Sequence, residues 1–148
     1  MTEFLETTVD KFTFRVASDR LYSDEGVWAK LEGDLVRVGI SDFVQQHSGD
    51  VAFAQIIPVG TEIKTGDEIG TIETIKVNIS IESPLAGKIV EVNPAMESTP
   101  ETINQDPYGE GWLVLIEPYD WETDRTCLMD ARAYFEHMKK LAENEARK

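Results

Sequence analysis

A chain of 148 residues, 41% hydrophobic and 28% charged, is long enough for one domain with a real core and is too apolar for a disordered segment. Its 28 acidic against 14 basic residues give a formal net charge of −14, a field that repels nucleic acid and anionic membranes and favours basic partner surfaces, or serves solubility alone. No apolar run approaches the ~20 residues that span a bilayer, and Met1 to Asp10 lack the basic start and apolar centre of a signal peptide, so a cytoplasmic location is expected.

In chain order, Phe12, Phe14 and Val16 alternate with polar residues as a half-buried strand does. A turn through Ser23-Asp24-Glu25-Gly26 leads into Val27 to Leu31, and Glu32-Gly33-Asp34 turns that strand back into Leu35 to Ile40. Ser41 is placed to cap a short helix over Asp42 to Gln46 that ends before Gly49. Val51 to Ile57 is apolar and stops at Pro58. Gly60, Gly66, Gly70, Pro84 and Gly87 then divide the chain into short strands. Asn93-Pro94 reads as a cap and first helical position ahead of a short helix near Ala95 and Met96. Trp112 to Ile116 is apolar throughout, which suits a buried strand. The period then changes to that of a helix over about 120–145, with Leu128, Ala131, Tyr134, Phe135, Met138 and Leu141 on one face. The residues predict a single mainly β domain (1–148), with a β core over about 12–118 and a C-terminal helix.

Little in the chain can perform chemistry unaided. Cys127 is the only cysteine, so no internal disulfide and no multi-cysteine metal site is possible, and His47 and His137 form no ligand cluster. No elbow motif places a serine for attack. No catalytic residue and no metal site is predicted, and any reactive atoms are expected to come from an attached cofactor.

The segment Asp67 to Glu91 is the informative one. Ile75, Val77, Ile79 and Ile81 alternate with Lys76, Asn78, Ser80 and Glu82, which places Lys76 on an outward, polar strand face. Glycine-bounded strands flank it roughly symmetrically: Val59-Gly60, Ile63, Gly66, Asp67 and Gly70 before, and Ser83-Pro84, Gly87, Ile89 and Val92 after. That symmetry suits a flattened barrel whose central hairpin projects one lysine.

The order G-x-x-I-K-x-G-D, E-T-I-K and S-P-L-A-G-K-I-V-E-V-N resembles the lipoyl-lysine region of the glycine cleavage system H protein family. V-G-I-S-D-F near Val38, G-D-V-A-F near Gly49 and N-Q-D-P-Y-G-E-G-W from Asn104 extend the resemblance over roughly 20–118. It implies a lipoyl-domain-like hybrid barrel-sandwich with a terminal helix, and a non-catalytic carrier with lipoic acid attached covalently to Lys76. Lipoylation converts the ammonium into an amide and adds an arm on the order of a dozen Å long, from bonds of about 1.5 Å. Its sulfurs supply thiol–disulfide exchange. Glu73 matches the family's glutamate and is a candidate contact for the lipoylating enzyme, or simply a charge on an exposed strand.

The resemblance also has gaps. Aligning Tyr22 with the family's first tyrosine sets Gly26-Val27-Trp28 against H-E-W, and Ser80 stands where the family places an aspartate. The family's loaded arm carries a cationic aminomethyl group in a cleft that the resemblance lines with those two carboxylates and a histidine. His47 matches the histidine, but Val27 and Ser80 cannot pair with a cation, and a charged hydrogen bond is roughly twice as strong as a neutral one. The departures point toward the H-like lipoate-binding proteins of sulfur oxidation, with a heterodisulfide-reductase-like complex as partner. The first alternative is an ordinary glycine cleavage H protein serving glycine decarboxylase, aminomethyltransferase and dihydrolipoamide dehydrogenase. The second is an unmodified interaction module.

Overall fold

The N-terminal alternation builds a hairpin. In the computed structural model, which describes residues 3–146, β1 (Phe4–Val9) and β2 (Phe12–Ala17) pair antiparallel. Asp10 turns the hairpin at φ 58°, a left-handed conformation that aspartate tolerates better than most side chains. The sequence reading begins its strands at Phe12. The structure adds β1, which buries none of its residues fully and so carries too weak an apolar pattern to be seen.

Short glycine-bounded strands make up two further sheets. A six-stranded sheet runs in the order β3 (Leu21–Tyr22), β4 (Val27–Glu32), β5 (Leu35–Ile40), β11 (Val114–Pro118), β10 (Gly87–Val92) and β7 (Glu62–Ile63). A three-stranded sheet runs β6 (Val51–Ile56), β8 (Glu68–Thr74), β9 (Asn78–Glu82). Their inward residues share one apolar core that includes Val27, Val36, Val38, Ile69, Ile72, Leu85, Ile89 and Ile116, the barrel-sandwich that the family resemblance implies. The last strand is two residues later than the apolar run Trp112 to Ile116 suggests, because Leu113 donates to Val38 outside the regular ladder.

A second core joins the hairpin to the C-terminal helix. Phe14, Val16, Tyr22, Trp28 and Phe43 pack with Tyr134, Phe135 and Met138, and the Tyr22 and Tyr134 rings stack with centroids 4.4 Å apart. Ser41 caps α1 (Asp42–Ser48) by accepting from the Val44 amide at 3.3 Å, and its hydroxyl lies 2.7 Å from the Tyr134 hydroxyl. That contact ties α1 to the terminal helix. Burial pushes the Tyr134 hydroxyl up to about 12, so it stays a neutral partner.

The expected helix over about 120–145 is two pieces. α2 (Ala95–Ser98) and α3 (Thr102–Gln105) precede β11. After it, α4 (Trp121–Asp124) runs into one 3-10 turn, Arg125–Cys127, and the chain then leaves helical geometry. Met129 exchanges backbone hydrogen bonds with Tyr22 at 2.7 and 2.8 Å, so an edge pairing takes the place of a helical turn. α5 (Ala131–Ala146) starts after it, with Asp130 accepting from the Ala133 amide at 2.8 Å. Ala131, Tyr134, Phe135 and Met138 are buried as the stripe predicts, but Ala142 continues it and Leu141 stays 39% exposed. No helix among the described residues is long and apolar enough to cross a membrane.

Candidate functional site

Lys76 lies between β8 and β9, in the three-residue tip Ile75-Lys76-Val77. The strand period does not continue through this tip. Ile79 and Ile81 turn inward, whereas Ile75 is 75% exposed and Val77 46% exposed. The lysine is thus offered by a protruding loop and not by the flat polar face that strict alternation implies.

The loop is held in shape by Thr74. Its hydroxyl donates to the Ser48 carbonyl at 2.8 Å and accepts from the Lys76 and Val77 amides at 3.2 and 3.0 Å. Threonine suits this task because its short hydroxyl can stand in for a backbone group in a tight turn. The Thr74 amide donates to the Val77 carbonyl at 2.8 Å, and the Ile75 amide to the Asp50 carbonyl at 3.1 Å. The tip is therefore locked to the end of α1 and the start of β6. Sequence reasoning did not single out Thr74; its only signal is a hydroxyl residue immediately before the tip. Asn104 is a second such residue. Its amide group accepts from the Val51 amide at 2.8 Å and donates to the Gly49 carbonyl and Gln45 Oε1, both at 3.0 Å.

Gly49 completes the end of α1 at φ 94°. The stem of Lys76 runs over it: a methyl added at Gly49 would lie 3.4 Å from Lys76 Cδ. From there the side chain borders a recess of about 330 Å³ that Phe14, Phe43 and His47 also line. His47 is exposed at its wall, its ring stacked on Phe43 at 5.6 Å.

The structure brings His47 to Lys76 but does not bring Val27 or Ser80. Val27 pairs with Ile40 and is 3% exposed, with its side chain in the barrel core. Ser80 is exposed on β9 and donates to Glu68 Oε1 at 2.6 Å. An arm cleft built from His47, Val27 and Ser80 together is therefore not what this chain forms. Burial also accounts for Gly26, since a Cβ there, at φ 85°, would collide with Val44 and the Tyr134 hydroxyl, leaving no room for the family's histidine. Glu73 is exposed and lines a different, open groove of about 1010 Å³ with Phe53, Met96, Glu97 and Glu101. Cys127 is exposed, and among the described residues no group of three or more His, Cys, Asp or Glu could hold a metal ion.

The family model described as glycine cleavage H-protein matches residues 20–141. The glycine cleavage system H protein of Anaeromyxobacter sp. is 43% identical over 119 residues, 80% of this chain and 92% of its own. That of Thermus thermophilus is 42% identical over 127 residues, 86% and 98% of the two chains. A crystal structure of a glycine cleavage system H protein from Mycobacterium marinum superposes with a TM-score of 0.73 at 35% identity, covering 80% of this chain and 95% of that one. These relatives bear the name of the glycine cleavage alternative, and none of them supports the sulfur-oxidation reading. The chain belongs to the glycine cleavage H-protein family, whose members are non-catalytic carriers of a lysine-bound lipoate.

Proposed function

We propose that Lys76 is the lipoylated residue and that this chain carries the aminomethyl group of glycine cleavage between glycine decarboxylase, aminomethyltransferase and dihydrolipoamide dehydrogenase. The supporting observation is geometric: one exposed lysine stands on a locked tip, with its stem bordering a recess of mixed aromatic and polar lining. The residues present fit a lipoyl group. The amine is accessible to a modifying enzyme, Lys76 makes no ion pair among the described residues, and the recess is sized for a small ligand. Attached there, lipoate would supply a reducible disulfide as the acceptor for the cargo.

The remaining residues take supporting roles. Glu73, exposed three residues before Lys76, offers a carboxylate to the lipoylating enzyme. His47 forms a wall of the recess, its ring stacked on Phe43. Because Val27 is a core residue, its lack of charge does not decide the cargo, and only Ser80 departs from the family on an exposed strand.

Reconstitution tests the reading. Lipoylated protein mixed with glycine decarboxylase and pyridoxal phosphate should support glycine-dependent carbon dioxide release. Lys76→Arg should fold normally and support none, because a guanidinium stays protonated and forms no lipoamide. A lipoylated protein that is inert with glycine decarboxylase, yet is turned over by a heterodisulfide-reductase-like complex, would overturn it in favour of the sulfur carrier.

A further inference from the structure

Among the described residues, the three-stranded sheet ends in β6, which pairs with β8 on one side and with no strand on the other. The Ile57 amide donates to the Ile69 carbonyl beyond the β6–β8 ladder at 3.0 Å. Bonded and non-bonded pairs alternate along an antiparallel ladder. Counting back along the register, Ile56 opposite Gly70 and Ala54 opposite Ile72 are non-bonded pairs, so their N–H and C=O groups point away from the sheet. Edge strands are usually guarded by a charge, a proline or short length. The six residues of β6, Val-Ala-Phe-Ala-Gln-Ile, include no charge and no proline. Its one irregularity, the register shift between Val51 and Phe53, lies before the outward groups of Ala54 and Ile56.

The open groove that Glu73 lines runs along this edge. Ala52 to Ile56 line it in succession, with the segment from Asn93 to Glu101 as the opposite wall. Side chains of a strand alternate between its faces, so a groove that touches every residue in turn follows the edge. Phe53 stands 65% exposed in it. Glu73, Glu97 and Glu101 are exposed around it, and no lysine, arginine or histidine lines it. Open backbone groups suit an extended chain, the bare ring suits an apolar side chain, and the acidic rim suits lysine or arginine. A second copy of this chain, at a net charge of −14, is repelled from that rim.

We infer that β6 is a docking edge to which an extended basic segment of a partner protein adds as a further strand, with an apolar side chain on Phe53 and its cations at Glu73, Glu97 and Glu101. The edge lies beside the tip, because the Ile75 amide donates to the Asp50 carbonyl just before β6. It gives the carrier a recognition surface separate from its lysine.

The test titrates a capped hexapeptide of alternating arginine and valine into the protein and follows the backbone amides by NMR. Lys76 does not line the groove, so the outcome is independent of its modification. The amides of Phe53, Ala54 and Ile56 should shift, and those of Ala54 and Ile56 should exchange more slowly with solvent. The same peptide with glutamate in place of arginine should leave them unchanged. N-methylation of every peptide amide keeps the charge but removes the donors, and should abolish the slowed exchange. Glu97→Gln with Glu101→Gln should weaken binding several-fold, roughly twofold for each surface ion pair lost. Ala54→Pro removes one outward N–H where an edge strand tolerates proline, and should weaken binding too. Equal affinity for the N-methylated peptide, or shifts scattered over the acidic surface away from β6, would overturn the proposal. Self-association through the same amides without peptide would assign the edge to a second copy and overturn it as well.

Discussion

Thr74 Oγ1 accepts the Lys76 and Val77 amides and donates to Ser48, so one hydroxyl shapes the tip and fixes it to α1. Thr74→Val keeps the branched shape and removes that group. Two amides then lose their acceptor at a partly buried place, which costs about 1–3 kcal/mol. Chemical denaturation should register that loss, and the variant should be lipoylated more slowly than Thr74→Ser, which keeps the hydroxyl. Equal stability and equal lipoylation in both variants would show that the backbone holds the tip alone. Lys76 stands out in the sequence because the flanking glycine-bounded strands mark the centre of a symmetric motif. Thr74 was not, because threonine is also an ordinary strand residue, and its partner Ser48 lies 26 positions away. The inward reading of Ile75 and Val77 failed for a related reason: alternation holds only while a strand is paired, and pairing ends at the Glu73–Asn78 register.

At the scale of elements, α5 is the brace for the site side of the molecule. Its buried face contacts β1, β2 and β3, and Ser41 joins it to the helix whose end supports Lys76. Phe135→Ala removes a largely buried ring and should destabilise the protein by about 3 kcal/mol, read as a lower melting temperature. An unchanged melting temperature would mean that the face does not pack as described. The helical stripe from Ala131 to Met138 was visible because four apolar positions recur at helical spacing. The break at Leu128 to Asp130 was not, since the Met129–Tyr22 bridge is a long-range contact that leaves no periodic mark. β1 was hidden in the same way: its half-buried residues gain their partners from β2, α5 and the Tyr108 ring.

On the scale of the whole molecule, two cores divide the work. The barrel core, with Val27 inside it, holds the sheets that present the tip, and the aromatic core fastens the hairpin and α5 beside the recess. Fold class could be read from local motifs, which also single out Lys76, whereas the lining of the recess depends on both ends of the chain meeting in space. That is why Val27 and Ser80 read as missing cleft carboxylates in sequence but do not share a cleft in the structure. The account depends above all on one covalent bond. Intact mass followed by peptide mapping of the protein, made in cells that synthesise lipoate, tests that bond directly. The predicted result is a single lipoyl adduct on Lys76, with Lys64 and Lys88, which are also exposed, unmodified. An adduct on either of those lysines, or none on Lys76, would contradict the account.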